Sequence, residues 1–233
     1  MNNIKIWAHR GASGYALENT IEAFEKAIEL KADGIELDVQ FSKDKHLVVV
    51  HDESLQRLYQ HEGFVKDYTY QELLAISNNT MCELAEVLEL IKKNDILLNI
   101  ELKTGVFFYE GIEQAVIDLV NEYQVADKII YSSFNHATLL NVKKICPTAK
   151  TGLLYADGIY DILNYAQKLH VDFLHPALYN IQYPDVITQA HAKNLKVNVW
   201  TVNDTNYVKL CQQYQVDTII TNYPDLVRKT LYQ

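Results

Sequence analysis

"KIIYSSFNHATLLNVKKICPTAKTGLLY", residues 128–155, contains one complete unit of a pattern that runs through the whole chain. Residues 128–133 are rich in β-branched and aromatic side chains and read as a strand. The stretch "HATLLNVKKI" spaces its apolar positions three and four apart, which predicts an amphipathic helix. Residues 150–155 then read as a second strand, so the unit is strand, helix, strand with short connections. Strands joined through a helix lie parallel, because the crossover returns the chain to the same end of the sheet.

Working outward, further strands are predicted over 4–9, 33–40, 96–103, 172–175, 196–202 and 217–221. Amphipathic stretches fall between them: "IEAFEKAI", "LAEVLELIKK", "EGIEQAVIDLVNEY", "YDILNYAQKL", "PDVITQAHAKN" and "NYVKLCQQY". Eight strand–helix units predict an α/β fold closed into a TIM (β/α)8 barrel, with a doubly wound open sheet as the alternative. Asn19 followed by Glu22, and Thr69 followed by Glu72, are predicted helix-start signals. The rhythm breaks once, after the second strand. A short extension of the sheet ending near His51 and then an excursion over about 52–80 are expected there, so the chain reads as one barrel domain, 1–233, with a small insertion.

The bulk properties agree. The 233 residues are 48% hydrophobic, and only 4 prolines and 8 glycines are spread along them, so no linker or disordered tail is expected. A net charge of −9 argues against a sequence-independent grip on nucleic acid, and an anionic substrate would need a local patch of cations or a metal. The N-terminus lacks the pattern of a secretory signal, and no apolar run is long enough to span a bilayer, so a cytoplasmic protein without stable membrane insertion is expected. Cys82, Cys146 and Cys211 share no paired spacing and read as reduced core thiols.

Two strands carry polar residues where none would be free in solvent. In "GIELDVQF", Ile35, Leu37 and Val39 alternate with Glu36 and Asp38; in "ILLNIELK", Ile96, Leu98, Ile100 and Leu102 alternate with Asn99, Glu101 and Lys103. Both faces of a barrel strand are covered, so the carboxylates point into the barrel. Buried acids need compensation, and oxygen donors suit a hard divalent cation, magnesium or calcium. The competing reading is an ion-pair network in which Arg10 and Lys103 alone neutralise the acids.

His9 and His51 each end an apolar strand run, at the rim where barrel enzymes assemble their sites, and an imidazole there suits proton transfer in both directions. The other histidines read as structural: His46 in a polar turn, and His61, His136, His170 and His191 in loops or helices. His175, before Pro176, is a candidate for the mouth. Two imidazoles, three carboxylates, a guanidinium and an ammonium on one rim fit the cleavage of a phosphate diester.

"AHRGASGYALENTIEAFEKAIELKADGIELDVQFSKDKHLVVVHDESLQR" resembles the opening of the glycerophosphodiester phosphodiesterase family, and "VKDYTYQELLAI", "ELAEVLELIKK", "LLNIELK", "YSSFN", "VNVWTVND" and "VDTIITNYPD" follow in that family's order. The resemblance implies a substrate such as glycerophosphocholine or glycerophosphoethanolamine, released as glycerol 3-phosphate and an alcohol through a cyclic phosphate. It further implies His9 and His51 as general acid and base, with His51 favoured as donor to the leaving alcohol. Glu36, Asp38 and Glu101 become ligands of one magnesium or calcium ion, Arg10 and Lys103 bind phosphate, and Trp200 forms an aromatic wall. Glu18 and Asn19 are expected to hold the first loop and cap its helix. Leu17 stands where the family has proline, "KDKH" replaces the usual acidic-glycine turn, and the short excursion implies a more open site. A lyase acting on lysophospholipids would need an apolar mouth, for which Phe64, Phe107, Phe108, Tyr109 and Tyr179 are candidates. A silent phosphodiester-binding barrel would have lost one of the polar residues. The partner expected is the small diester, with the protein a monomer or homodimer.

Overall fold

Alternating strands and helices can close on themselves only if the first strand finds a partner on both sides, and here it does. The computed structural model describes residues 4–232. Its strands are β1 (Lys5–His9), β2 (Gly34–Phe41), β3 (Leu47–Val49), β4 (Leu97–Leu102), β5 (Ile129–Ser133), β6 (Lys150–Tyr155), β7 (Phe173–Pro176), β8 (Lys196–Val199) and β9 (Thr218–Thr221). They are ordered β1-β9-β8-β7-β6-β5-β4-β2-β3, and β1 also pairs with β2. Trp7 is opposite Ile220 on one side and Gly34 on the other, both in parallel register. An open sheet would leave β1 an edge, so the structure is the closed barrel, with eight parallel strands and antiparallel β3 extending β2.

The helices are α1 (Ile21–Glu29), α2 (Gln56–Tyr59), α3 (Tyr70–Ile76), α4 (Leu84–Lys93), α5 (Ile112–Tyr123), α6 (His136–Ile145), α7 (Ile162–Lys168), α8 (Pro184–Ala192), α9 (Thr205–Tyr214) and α10 (Pro224–Tyr232). The helices that link the barrel strands pack an apolar stripe against them. In α4 the stripe is Leu84, Val87, Leu88 and Ile91, all fully buried. Burying side chains of this size stabilises the fold by about 1.5–3 kcal/mol each. α10 buries only Pro224, Val227 and Leu231, too few apolar positions to stand out as a periodic stripe in the sequence. Among the described residues, no helix is long and apolar enough to cross a membrane. The cysteines are free; Cys82 and Cys211 are buried and Cys146 is half-buried.

The excursion after β3 contains α2 and α3 and encloses its own small core of Val48, Val50, Leu55, Val65, Tyr70, Leu73 and Met81. Thr69 starts α3 as expected: its hydroxyl accepts from the Glu72 amide, and the Glu72 carboxylate accepts from the Thr69 amide. The start of α1 differs from expectation. Thr20 is the cap, its hydroxyl accepting from the Ala23 amide at 3.3 Å. Asn19 has φ 59, outside the extended region from which a side chain caps a helix, and its side chain turns instead to Asp38. β8 is shorter than expected. Beyond Val199 the chain keeps one bridge, Trp200 to Ala177, and by Val202 its amide bonds across to Ile220.

Candidate active site

The parallel strands all deliver their C-terminal ends to one rim. His9 ends β1, and the chain then turns sharply: Arg10 has φ 54, and its amide donates to Glu36 Oε2 at 2.9 Å. Gly11 follows at φ 79, where a Cβ would lie 2.7 Å from the Ala23 backbone, so this turn accepts only glycine. The turn carries the Arg10 side chain over β2, with Nη1 donating to Glu18 Oε1 at 2.8 Å and Nε 3.5 Å from Asp38 Oδ2.

Glu36 and Asp38 sit two apart on β2, and Asp38 is in register with Glu101 on β4. The three carboxylates are 6%, 0% and 7% exposed, and each offers an oxygen within 4.8 Å of the others. Lys103 Nζ lies 3.1 Å from Glu101 Oε1 and 3.9 Å from Asp38 Oδ1. Asn19 donates to Asp38 Oδ2 at 2.9 Å, but buried Asp38 Oδ1 has no hydrogen-bond partner. The two cations do not neutralise the group evenly. Burial would raise Asp38, but Lys103, His51 and Arg10 hold it below the usual carboxylate range. Burial and the neighbouring acids Asp38 and Glu101 push Glu36 well up, and burial together with Asp38 pushes Glu101 up to about 7. Ion pairs alone therefore leave mutual repulsion in the cluster, which a bound cation would relieve.

Each imidazole is fixed from behind. His9 Nδ1 is 2.8 Å from Asn222 Oδ1, an acceptor, so Nδ1 carries the proton and Nε2 keeps its lone pair. Burial, and then Arg10, lower His9 to about 4, so this ring is neutral at pH 7. His51 Nδ1 donates to Asp52 Oδ1 at 2.6 Å. Burial would raise Asp52, but hydrogen bonds from Arg57 and His51 hold it down to about 2, so a full negative charge backs His51.

His9, Arg10, Glu36, His51, Glu101 and Trp200 all line one cavity; Asp38 and Lys103 do not line it but pair with residues that do, Asp38 with Arg10 and Lys103 with Glu101. Trp200 Nε1 donates to the His175 carbonyl at 2.7 Å, and its ring packs edge-on to Phe134 at 5.6 Å. His175 also lines the cavity; it is fully buried, with Nε2 3.0 Å from Asn198 Nδ2, and burial lowers it to about 3. It belongs to the barrel interior rather than the open mouth. The apolar mouth that a lyase would need is only partly present. Phe64, Phe108 and Tyr179 are exposed, but Tyr109 is buried and donates to Gln40 Oε1 at 3.0 Å, and none of the five aromatics lines the cavity.

Sequence reasoning missed Asp52, Asn222 and Arg57. Asp52 was the most accessible of them, directly after His51; Asn222 lies 213 positions from His9, and nothing local connects the two.

The sequence profile of the glycerophosphoryl diester phosphodiesterase family matches residues 9–226. A glycerophosphodiester phosphodiesterase of Caldanaerobacter subterraneus subsp. tengcongensis is 42% identical over 96% of this chain and 98% of its own length. The crystal structure of a glycerophosphodiester phosphodiesterase from Thermotoga maritima superposes with a TM-score of 0.85 at 30% identity, covering 98% of this chain and 99% of that one. A phosphodiesterase of Oleispira antarctica, solved in complex with the product sn-glycerol-3-phosphate, shares the fold at a TM-score of 0.89 and 24% identity, over 98% of this chain and 97% of that one. With a matching profile over nearly its whole length and relatives well above the identity that fold alone would give, the chain belongs to the glycerophosphoryl diester phosphodiesterase family.

Proposed function

We propose that this rim hydrolyses glycerophosphodiesters such as glycerophosphocholine and glycerophosphoethanolamine to glycerol 3-phosphate and the head-group alcohol. The observation that carries the reading is the unequal backing of two imidazoles in one cavity with Arg10. His9 is held neutral with Nε2 free, while His51 donates from Nδ1 to the ionised Asp52 carboxylate, which fixes its ring with Nε2 turned away from that contact. His9 Nε2 takes the proton from the glycerol hydroxyl as that oxygen attacks phosphorus. His51 Nε2 gives a proton to the departing alkoxide, leaving a cyclic phosphate. Water then opens the ring with the roles exchanged: His51 removes the water proton and His9 returns its proton to the glycerol oxygen. Arg10 presents a planar fork to the phosphate oxygens, and Lys103 adds a compact charge. Trp200 is a wall for the glycerol or the head group.

Glu36, Asp38 and Glu101 would hold one divalent cation, magnesium or calcium. The all-oxygen donor set, the 4.8 Å spread of its ligand atoms and the buried Asp38 Oδ1, which accepts no hydrogen bond, support that fit. Bound there, such an ion supplies positive charge to offset the developing oxyanion. The test is release of glycerol 3-phosphate from both diesters with and without EDTA, followed by phosphorus NMR. Metal-dependent release is expected. Full turnover after exhaustive chelation refutes the metal site, and accumulation of cyclic phosphate alone refutes hydrolysis in favour of a lyase.

A further inference from the structure

We infer that Arg57, on the segment inserted after β3, is a positioning residue that orients His51 and Arg10 together, through Asp52 and Glu18. The inference rests on the hydrolase reading above and adds a residue to it. Arg57 makes two forks with one guanidinium. Nε and Nη2 donate to Asp52 Oδ2 and Oδ1 at 2.5 and 3.0 Å, and Nη1 and Nη2 donate to Glu18 Oε2 and Oε1 at 3.0 and 2.7 Å. The far end of each fork reaches the site. Asp52 Oδ1 also accepts from His51 Nδ1 at 2.6 Å, and Glu18 Oε1 also accepts from Arg10 Nη1 at 2.8 Å. One planar cation thus ties the loop after β1 to the loop after β3. Only a guanidinium has enough fixed N–H donors to hold two carboxylates this way.

The arrangement is poorly suited to being a mere staple. The Arg57 side chain is 48% exposed, and ion pairs in that setting add little to stability. The loop backbone is held without it, because Gln40 Nε2 donates to the carbonyls of Val50, His51 and Asp52 at 3.1, 3.2 and 3.0 Å. The inserted segment has its own core around Leu55 and Val65. What remains for Arg57 is the orientation of two side chains whose oxygens hold the imidazole and the phosphate fork.

Arg57→Ala should therefore lower kcat on glycerophosphocholine by on the order of 10²-fold, the scale of a misplaced reacting group, with a much smaller change in KM. Its melting temperature should stay within about 2 °C of wild type. Added guanidinium ion should restore part of the lost kcat. Arg57→Lys, which keeps the stem and the charge but cannot make both forks, should fall between the two and gives the same readout if the alanine variant does not fold. Arg57→Ala combined with Asp52→Asn should lose less than the sum of the two single losses, because both changes break the Arg57–Asp52 fork. Wild-type kcat in both Arg57 variants, additive losses, or a loss without guanidinium rescue that tracks melting temperature overturns the inference while leaving the hydrolase reading intact. Absence of wild-type turnover on every glycerophosphodiester overturns the hydrolase reading, and this assignment with it.

Discussion

Glu101→Gln should make the metal-free protein more stable while removing its activity. Glu101 is 7% exposed and in register with Asp38, and burial with that neighbour raises its pKa from 4.5 to about 7. In the unfolded chain the carboxyl ionises near its ordinary value, so between 4.5 and 7 the folded state keeps a proton that the unfolded state has released. Stability contributed by this group is thus greatest in acid, falls as pH rises through that interval, and is fully lost above 7. The interval corresponds to about 3 kcal/mol. Glutamine keeps the shape and an oxygen for Lys103, which retains Asp38 as a charged neighbour at 3.9 Å. In EDTA at pH 8 the variant should gain up to about 3 kcal/mol, or roughly 6–12 °C in melting temperature for a chain of this size. At pH 5 most of that gain should vanish. Added magnesium or calcium should reverse the order, because the wild type binds the ion more tightly and is stabilised by mass action. Guanidinium chloride titrations at both pH values, with and without metal, measure all three. A gain of the same size at pH 5 and pH 8, or no gain in EDTA at pH 8, would refute the reasoning that repulsion among buried carboxylates shapes this site.

Other outcomes follow from single contacts. His51→Ala should lower kcat by about 10²–10⁴-fold with an alkyl leaving group and far less with nitrophenol, which departs without a proton; equal losses on both substrates would remove His51 as the donor. Asn222→Ala deletes the acceptor that fixes the His9 ring at 2.8 Å, and steady-state kinetics should show about a tenfold lower kcat; an unchanged kcat would mean that the ring is held by other contacts. Gly152→Ala would place a Cβ 2.5 Å from Nε2 of fully buried His175, whose ring is also held by Asn198, so chemical denaturation should show a loss of roughly 1–3 kcal/mol.

Most of the barrel is legible in the sequence because its elements are local and periodic. The unit over residues 128–155 appears as β5, α6 and β6 with ends that match to within a residue. The strand over 196–202 was the least well bounded: its apolar pattern continues, but pairing partners run out after Val199. At α1, Asn19 and Thr20 both suit a cap by type, and choosing between them required backbone angles that no pattern contains. Tyr109 shows the same limit. Its neighbours Phe107 and Phe108 suggest an apolar mouth, yet Gln40, 69 positions away, draws its hydroxyl inward.

For the candidate site, alternation alone placed Glu36, Asp38, Glu101 and Lys103 on inward faces, since side-chain direction along a strand is a two-residue property that sequence carries directly. The positions of His9, Arg10 and His51 at strand ends were legible for the same reason. Only the tertiary structure decided what stands behind them. The Asn222 oxygen against His9 and the doubled fork of Arg57 arise where loops from different strands meet. Those meetings depend on barrel closure, which brings β9 against β1 and sets distances between residues that have no relation along the chain.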